Sequence, residues 1–370
     1  MVRLHMLTVL IISFSYPLFA QVTPTTTVGG YGELHYNEPD GRTRGQLDFH
    51  RFVVYLSHTF ASDISLYSEV ELEHTRIEAG EDDGGEISIE QAFLDYRLST
   101  SIGVRAGILL TPVGLINLYH EPPTFHGVER PNVDRVIIPS TWSEAGAGVY
   151  GMLTDGLQYQ AYIIAGLDAA GFSAGSGLRG GRQLGYRSNP ANPSLTGRLD
   201  YTPVLGLQLG GSFFIGGSAG GNDSLGSATV AMWSGDIRYA TRDLSLRAVG
   251  AIATIGDAEK INAVYRGAVA DRIFGYYVEA AYNILPLLAP DSEQELFVFG
   301  RFEKYNTQAA TTGFAALQQF NRNDIVLGVT YKPTYNTALK CDYTFLKNNL
   351  NAGSATNTKQ LNIGLGYFFY

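Results

Sequence analysis

The sequence has little charge and almost no cysteine. Asp, Glu, Lys and Arg together make up 16% of its 370 residues, against roughly 25% in ordinary soluble domains. A single cysteine, Cys341, excludes a disulfide scaffold. No apolar run of about 20 residues follows the N-terminal segment, which excludes a bundle of transmembrane helices. No Lys/Arg-rich run exists and the formal charge is −9, so nothing supports a nucleic-acid partner. What the chain does have is 45% hydrophobic residues, 43 Gly, 23 Tyr and 19 Phe. That content excludes a disordered chain, and a long-helix protein would be rich in Ala, Glu, Lys and Leu. The mean hydropathy is −0.01. The composition points to an all-β chain.

Residues 1–20 read as a secretory signal peptide: Arg3 in the n-region, an apolar run from Leu7 to Tyr16, and Ala20 before the expected cut. No Cys follows that cut, so a lipoprotein anchor is not expected. The mature chain, 21–370, is then exported and forms one domain.

Its pattern repeats. Segments of about ten residues alternate in hydrophobicity, separated in turn by a short link and a longer polar loop. Sixteen strands are predicted: 26–37, 46–60, 64–75, 86–98, 101–110, 143–153, 157–167, 194–202, 206–217, 227–239, 244–254, 272–283, 294–304, 322–332, 337–347 and 358–370. Short links such as Thr154-Asp155-Gly156 and Pro333-Thr334-Tyr335-Asn336 carry turn chemistry. An even strand number with loops sorted by length is the pattern of a transmembrane antiparallel barrel.

Period 2 assigns the faces. Leu195, Leu199 and Tyr201 oppose Thr196, Arg198 and Asp200. Leu339, Cys341, Tyr343 and Phe345 oppose Lys340, Asp342 and Thr344. No amphipathic helix is available to cover the apolar face, and the other face carries charge in mid-strand. The reading is an outer surface in lipid and a wet lumen. In the last strand the alternating set ends at Phe369, with Tyr370 one residue out of step.

The expected pore wall carries Glu69, Glu71 and Glu73 on one strand. Opposite charges two residues apart occur at Asp95/Arg97, Arg198/Asp200, Asp236/Arg238, Arg301/Glu303 and Lys340/Asp342, with Arg105, Arg247 and Glu279 added. Walls of both signs order water and steer ions. The segment 111–142 stands apart: 32 residues with five prolines and many apolar side chains. Such a loop is functional or disordered, and its apolar content argues for packing. Folded into the lumen it would bring Glu121, Glu129, Arg130, Asp134 and Arg135 to the constriction; a position over the outer rim is the alternative.

Across this loop the sequence resembles the phosphate-selective porin O/P family. The matching residues run from Asn117 through His120-Glu121-Pro122-Pro123-Thr124-Phe125, Gly127-Val128-Glu129-Arg130-Pro131 and Ile138-Pro139-Ser140-Thr141-Trp142-Ser143-Glu144 to Gly146 and Gly148. The opening Gly30-Tyr31-Gly32 and the aromatic C-terminus are similar too. The resemblance implies a 16-stranded porin in the outer membrane of a Gram-negative bacterium, commonly a homotrimer, among lipid and lipopolysaccharide. Phosphate selectivity in that family depends on many constriction arginines and lysines. The matching loop here has two Arg and no Lys, so the resemblance carries "porin" and not "phosphate".

Other signals are weaker. Gly175-x-Gly177-x-x-Gly180 lacks the strand–helix context of a dinucleotide site. Glu81-Asp82-Asp83 lacks calcium-loop spacing. The seven His show no metal-site spacing. No cofactor, metal or catalytic residue is expected. The expected function is passive diffusion of small hydrophilic solutes and ions, with cation preference or little selectivity from the acidic balance. The alternatives are a barrel enzyme of lipase or protease type, or a plugged structural or adhesive barrel.

Overall fold

The computed structural model describes residues 23–41, 44–74, 85–350 and 358–370. The expected signal peptide and the Glu81-Asp82-Asp83 run lie outside the described residues. The chain forms a closed antiparallel barrel of 16 strands. The first half comprises β1 (Thr25–Pro39), β2 (Gln46–Ala61), β3 (Ile64–Glu73), β4 (Glu86–Arg97), β5 (Gly103–Leu110), β6 (Ser143–Thr154), β7 (Leu157–Ile164) and β8 (Ser194–Val204). The second comprises β9 (Leu207–Gly216), β10 (Val230–Ala240), β11 (Leu244–Ile255), β12 (Arg272–Asn283), β13 (Glu295–Ala310), β14 (Asn321–Thr334), β15 (Thr337–Asn348) and β16 (Thr358–Phe369). Every strand pairs with its neighbours in sequence, and β1 closes on β16 from Gly30↔Phe369 to Pro39↔Gln360. Closure leaves no unpaired sheet edge, the condition for a sheet to stand in hydrocarbon.

Local chemistry explains the corners. At the β6–β7 turn Gly156 has φ +74°, and a Cβ there would come within 2.6 Å of the Thr202 carbonyl. Only glycine meets both demands. At the seam, the Tyr367 ring lies where a Gly32 side chain would be. The two end residues fall as the alternation implies: Phe369 pairs with Gly30 and faces out, and Tyr370 follows the strand.

The faces divide as period 2 requires. Leu195, Leu199, Leu327, Leu339 and Ile363 are exposed outward, while Arg198, Asp324, Lys340, Asp342 and Asn362 are buried inward. One boundary differs strongly from the sequence reading. Strand β13 runs to Ala310 rather than to 304. Its extension is polar, and the extra residues hold other loops: Thr307 Oγ1 donates to Ala174 O at 2.5 Å, and the Gln308 amide to Ala268 O at 2.8 Å. Polar-on-both-faces strand leaves no hydropathy signal.

The lumen is not uniformly wet. On β9–β12, inward Phe214, Val230, Met232, Val249, Ala253, Ile255 and Ile273 pack with Val136, Ile137, Ile138, Trp142, Leu167 and Leu178 of the loops. This dry core fills the long-loop end of that arc. The expectation of water along every inner face is corrected there: two loops supply enough apolar surface to cover the wall.

Candidate channel constriction

The loop between β5 and β6 is tied at its neck. Thr111 N donates to Trp142 O at 2.8 Å; the Asn117 amide donates to Thr111 O and Trp142 O and accepts from Trp142 N at 2.7 Å. From this neck the loop crosses the lumen. Val128 N donates to Asp342 at 2.7 Å, Val133 N to Glu303 at 3.1 Å, and the Asn132 amide to Asp324 at 2.9 Å. Thr330 Oγ1 and Lys340 Nζ donate to the carbonyls of His126 and Gly127, at 2.7 and 2.8 Å. These wall partners point inward from β13–β15, so the loop lies inside the barrel. Lys340 Nζ also sits 3.8 Å from the Phe125 ring centroid.

The wall charges pair, but mostly not within one strand. Arg198 holds both Asp200 and Asp236, each with a 2.7 Å contact. Arg301 holds Glu303 at 2.9 Å and Glu279 at 3.3 Å. Arg51, absent from the sequence reading, holds Glu33 at 2.6 Å, Glu71 at 3.0 Å and Glu73 at 3.5 Å. Three expected pairs are corrected. Asp95 binds Arg105 at 2.6 Å across the β4–β5 ladder, while Arg97 is exposed at the strand end. Asp236 is taken by Arg198, so Arg238 donates to Gln208 and lies 4.4 Å from the Tyr119 ring. Lys340 and Asp342 each engage the loop backbone. For Asp95 the reason is the ladder, since directly opposed cross-strand neighbours are about 5 Å apart, closer than i,i+2 neighbours along a strand; Arg198 reaches Asp236 across β9, where Gly210 has no side chain in the way.

The five loop residues separate. Glu129, Arg130 and Arg135 line an open cavity of about 670 Å³ on the long-loop side, with His35, Arg51, His74 and Arg179. Glu129 is bonded to His35 at 3.1 Å. Glu121 lies on the other side of the loop, 3.5 Å from the Tyr55 hydroxyl. Asp134 is 1% exposed and faces the Tyr277 hydroxyl, and burial pushes its pKa up to about 7.

The next long loop, between β7 and β8, adds two arginines that the sequence reading passed over. Arg179 donates to Ser140 O at 2.6 Å, and Arg182 to Ser140 O and Thr141 O at 2.8 and 2.6 Å. Arg130 donates to His120 O and Arg135 to Asn132. None of these four has a carboxylate at ion-pair distance among the described residues, whereas Arg51, Arg105, Arg198 and Arg301 of the wall do. Burial, and then the charges of Arg182, Arg130 and Arg135, lower the pKa of Arg179. It stays charged at neutral pH. Nothing in either loop's sequence places these arginines together; tertiary packing does.

No family model matches the chain. An uncharacterized protein of Aquifex aeolicus is 40% identical over 341 residues, covering 87% of this chain and 76% of that protein. Among solved structures, Salmonella typhi OmpF in complex with daunomycin superposes with a TM-score of 0.62 at 14% identity, over 93% of this chain and 97% of the other. The anion-selective porin from Comamonas acidovorans gives 0.57 at 13% identity, over 94% and 100%. The barrel therefore has the outer-membrane porin fold.

Proposed function

The chain belongs to one family with the Aquifex aeolicus protein, and from that premise and its porin fold we propose that it is a diffusion channel for small hydrophilic solutes. It would stand in the outer membrane of a Gram-negative bacterium, reached through the signal peptide at 1–20, among lipid and lipopolysaccharide. The resemblance at 117–148 supports membership of the phosphate-selective porin group in the broad sense of porin, and a homotrimer as its assembly. The reading has no enzymatic step and no cofactor.

One observation carries it: a loop pinned across the lumen by bonds to inward wall residues, with an open, charge-lined cavity left beside it. A barrel that needed only rigidity could fill that space with the apolar packing it uses on β9–β12. In place of the cation preference read from net charge, the geometry supports anions. The acids are largely spoken for by Arg51, Arg198, Arg301 and His35, whereas Arg130, Arg135, Arg179 and Arg182 are not. Oriented positive charge at a narrow polar passage raises the local anion concentration. Liposome swelling tests this with solutes of matched size. Faster entry of the anionic solute is expected; faster entry of the cationic one would reverse the assignment. The dry core favours a second reading, a plugged barrel, and that reading predicts no swelling with any solute.

A further inference from the structure

Three side chains converge inside the barrel below the loop: Glu69 of β3, Glu90 of β4 and His120 of the long loop. They are 3, 4 and 3% exposed. His120 Nε2 stands 3.6 Å from Glu69 Oε1 and 3.4 Å from Glu90 Oε2. Those separations exceed a charge-assisted hydrogen bond, about 2.7–2.9 Å. Among the described residues, Nε2, Glu69 Oε1 and Glu90 Oε1 are buried without a hydrogen-bond partner. Leaving them so costs free energy that a bound cation would recover.

The surroundings orient the three groups. His120 Nδ1 faces the Asn117 carbonyl at 3.2 Å. A carbonyl only accepts, so Nδ1 carries a proton, and a cation bound between the carboxylates would take the place of a proton on Nε2, giving the tautomer a metal-bound imidazole uses. The second oxygen of Glu69 accepts from the Gln91 amide at 2.5 Å, and the Tyr31 hydroxyl lies 3.5 Å from Glu90. One ligand atom from each residue fits within 4.8 Å of the others. Ligand atoms about 2.1 Å from one tetrahedral ion stand about 3.4 Å apart, which matches the His120 distances. A cavity of about 510 Å³, lined by Glu69, His120, Glu121 and Tyr55, opens onto the cluster. It gives the ion an entry path and a water the fourth position.

We propose that Glu69, Glu90 and His120 bind one divalent transition-metal ion, zinc first among them, which clamps the root of the long loop to β3 and β4. One imidazole and two carboxylates at tetrahedral spacing suit zinc; calcium takes six to eight oxygens and magnesium an octahedron. The proposal does not depend on whether the barrel conducts. A second group, Asp48, His50 and His74, lies at the long-loop end. Its Asp48 oxygen is already within 3.1 Å of His50 Nδ1 and 2.8 Å of His74 Nδ1, so it serves as the internal control.

The test uses the full chain, folded in detergent and stripped with chelator, titrated with zinc chloride by calorimetry. One saturable site is expected in the wild type and in H50A/H74A. In E90Q and H120Q its affinity should fall by more than about a hundredfold, beyond the roughly 10–100-fold that loss of a supporting residue alone can reach. To keep the test independent of how H120Q folds, cobalt(II) is added to the wild type as well, where the intense visible absorption of a tetrahedral ion is expected. Absence of saturable zinc binding by the folded wild type would overturn the proposal and leave an imidazolium–carboxylate cluster. Binding that survives H120Q and E90Q but is lost in H50A/H74A, or a wild-type cobalt spectrum without the tetrahedral band, would overturn it too.

Discussion

At the scale of single residues, the wall charges are held in buried groups whose members depend on one another. Arg198 is 2% exposed and serves two carboxylates. Arg198→Ala would strand both acids, and breaking a buried pair costs about 3–5 kcal/mol. A drop of that size in the unfolding free energy of the folded barrel, from urea titration, is expected; a change within error would mean that the group is already water-screened. Asp134 makes a pH prediction. Its folded pKa, about 7, lies above the ordinary 3.8, so the folded state holds a proton that the unfolded chain has released. The contribution of Asp134 to stability is then fullest below about pH 4, declines as the pH rises to about 7, and is flat above that. The total loss is up to about 4 kcal/mol. Asp134→Asn should flatten this profile, read as unfolding midpoints between pH 4 and 8. An unchanged slope in the variant would assign the dependence to other groups.

At the scale of elements, the strands were legible because two local codes agree. Period-2 hydrophobicity marks each strand, and Gly, Pro, Asn and Asp mark the links, so 16 segments follow from the residues alone. The polar end of β13 was not legible, since its Thr307 and Gln308 serve other loops and Asn306-Thr307-Gln308 carries no alternation. The loop's apolar content pointed to packing, but not to the partners of each charge. Asp134 illustrates the gap: an acid in a loop reads as solvent-facing, and only the packing shows it buried. Asn117 is the element's own control point. Asn117→Ala removes three neck bonds, each worth about 1 kcal/mol. The loop should then fluctuate, seen as raised current noise and faster proteolysis within 111–142. A quiet, protease-resistant variant would show that the wall contacts alone fix the loop.

At the scale of the whole molecule, net charge sums groups that cancel locally. Arg51, Arg198 and Arg301 each face two or three acids. The loop arginines make no ion pair among the described residues, and they come together only when two loops meet inside one barrel. Arg130→Gln combined with Arg179→Gln should move the reversal potential in a salt gradient towards cations. No movement would remove these arginines from the selectivity account. The near-zero mean hydropathy has a structural cause as well, since lipid-facing and lumen-facing residues alternate along each strand. The central claim is that this barrel conducts, and planar-bilayer recording of the purified, folded full chain tests it most directly. Stepwise, ohmic openings with an anion-favouring reversal potential are predicted; folded protein that inserts into the bilayer and stays silent would contradict the channel and leave the plugged barrel.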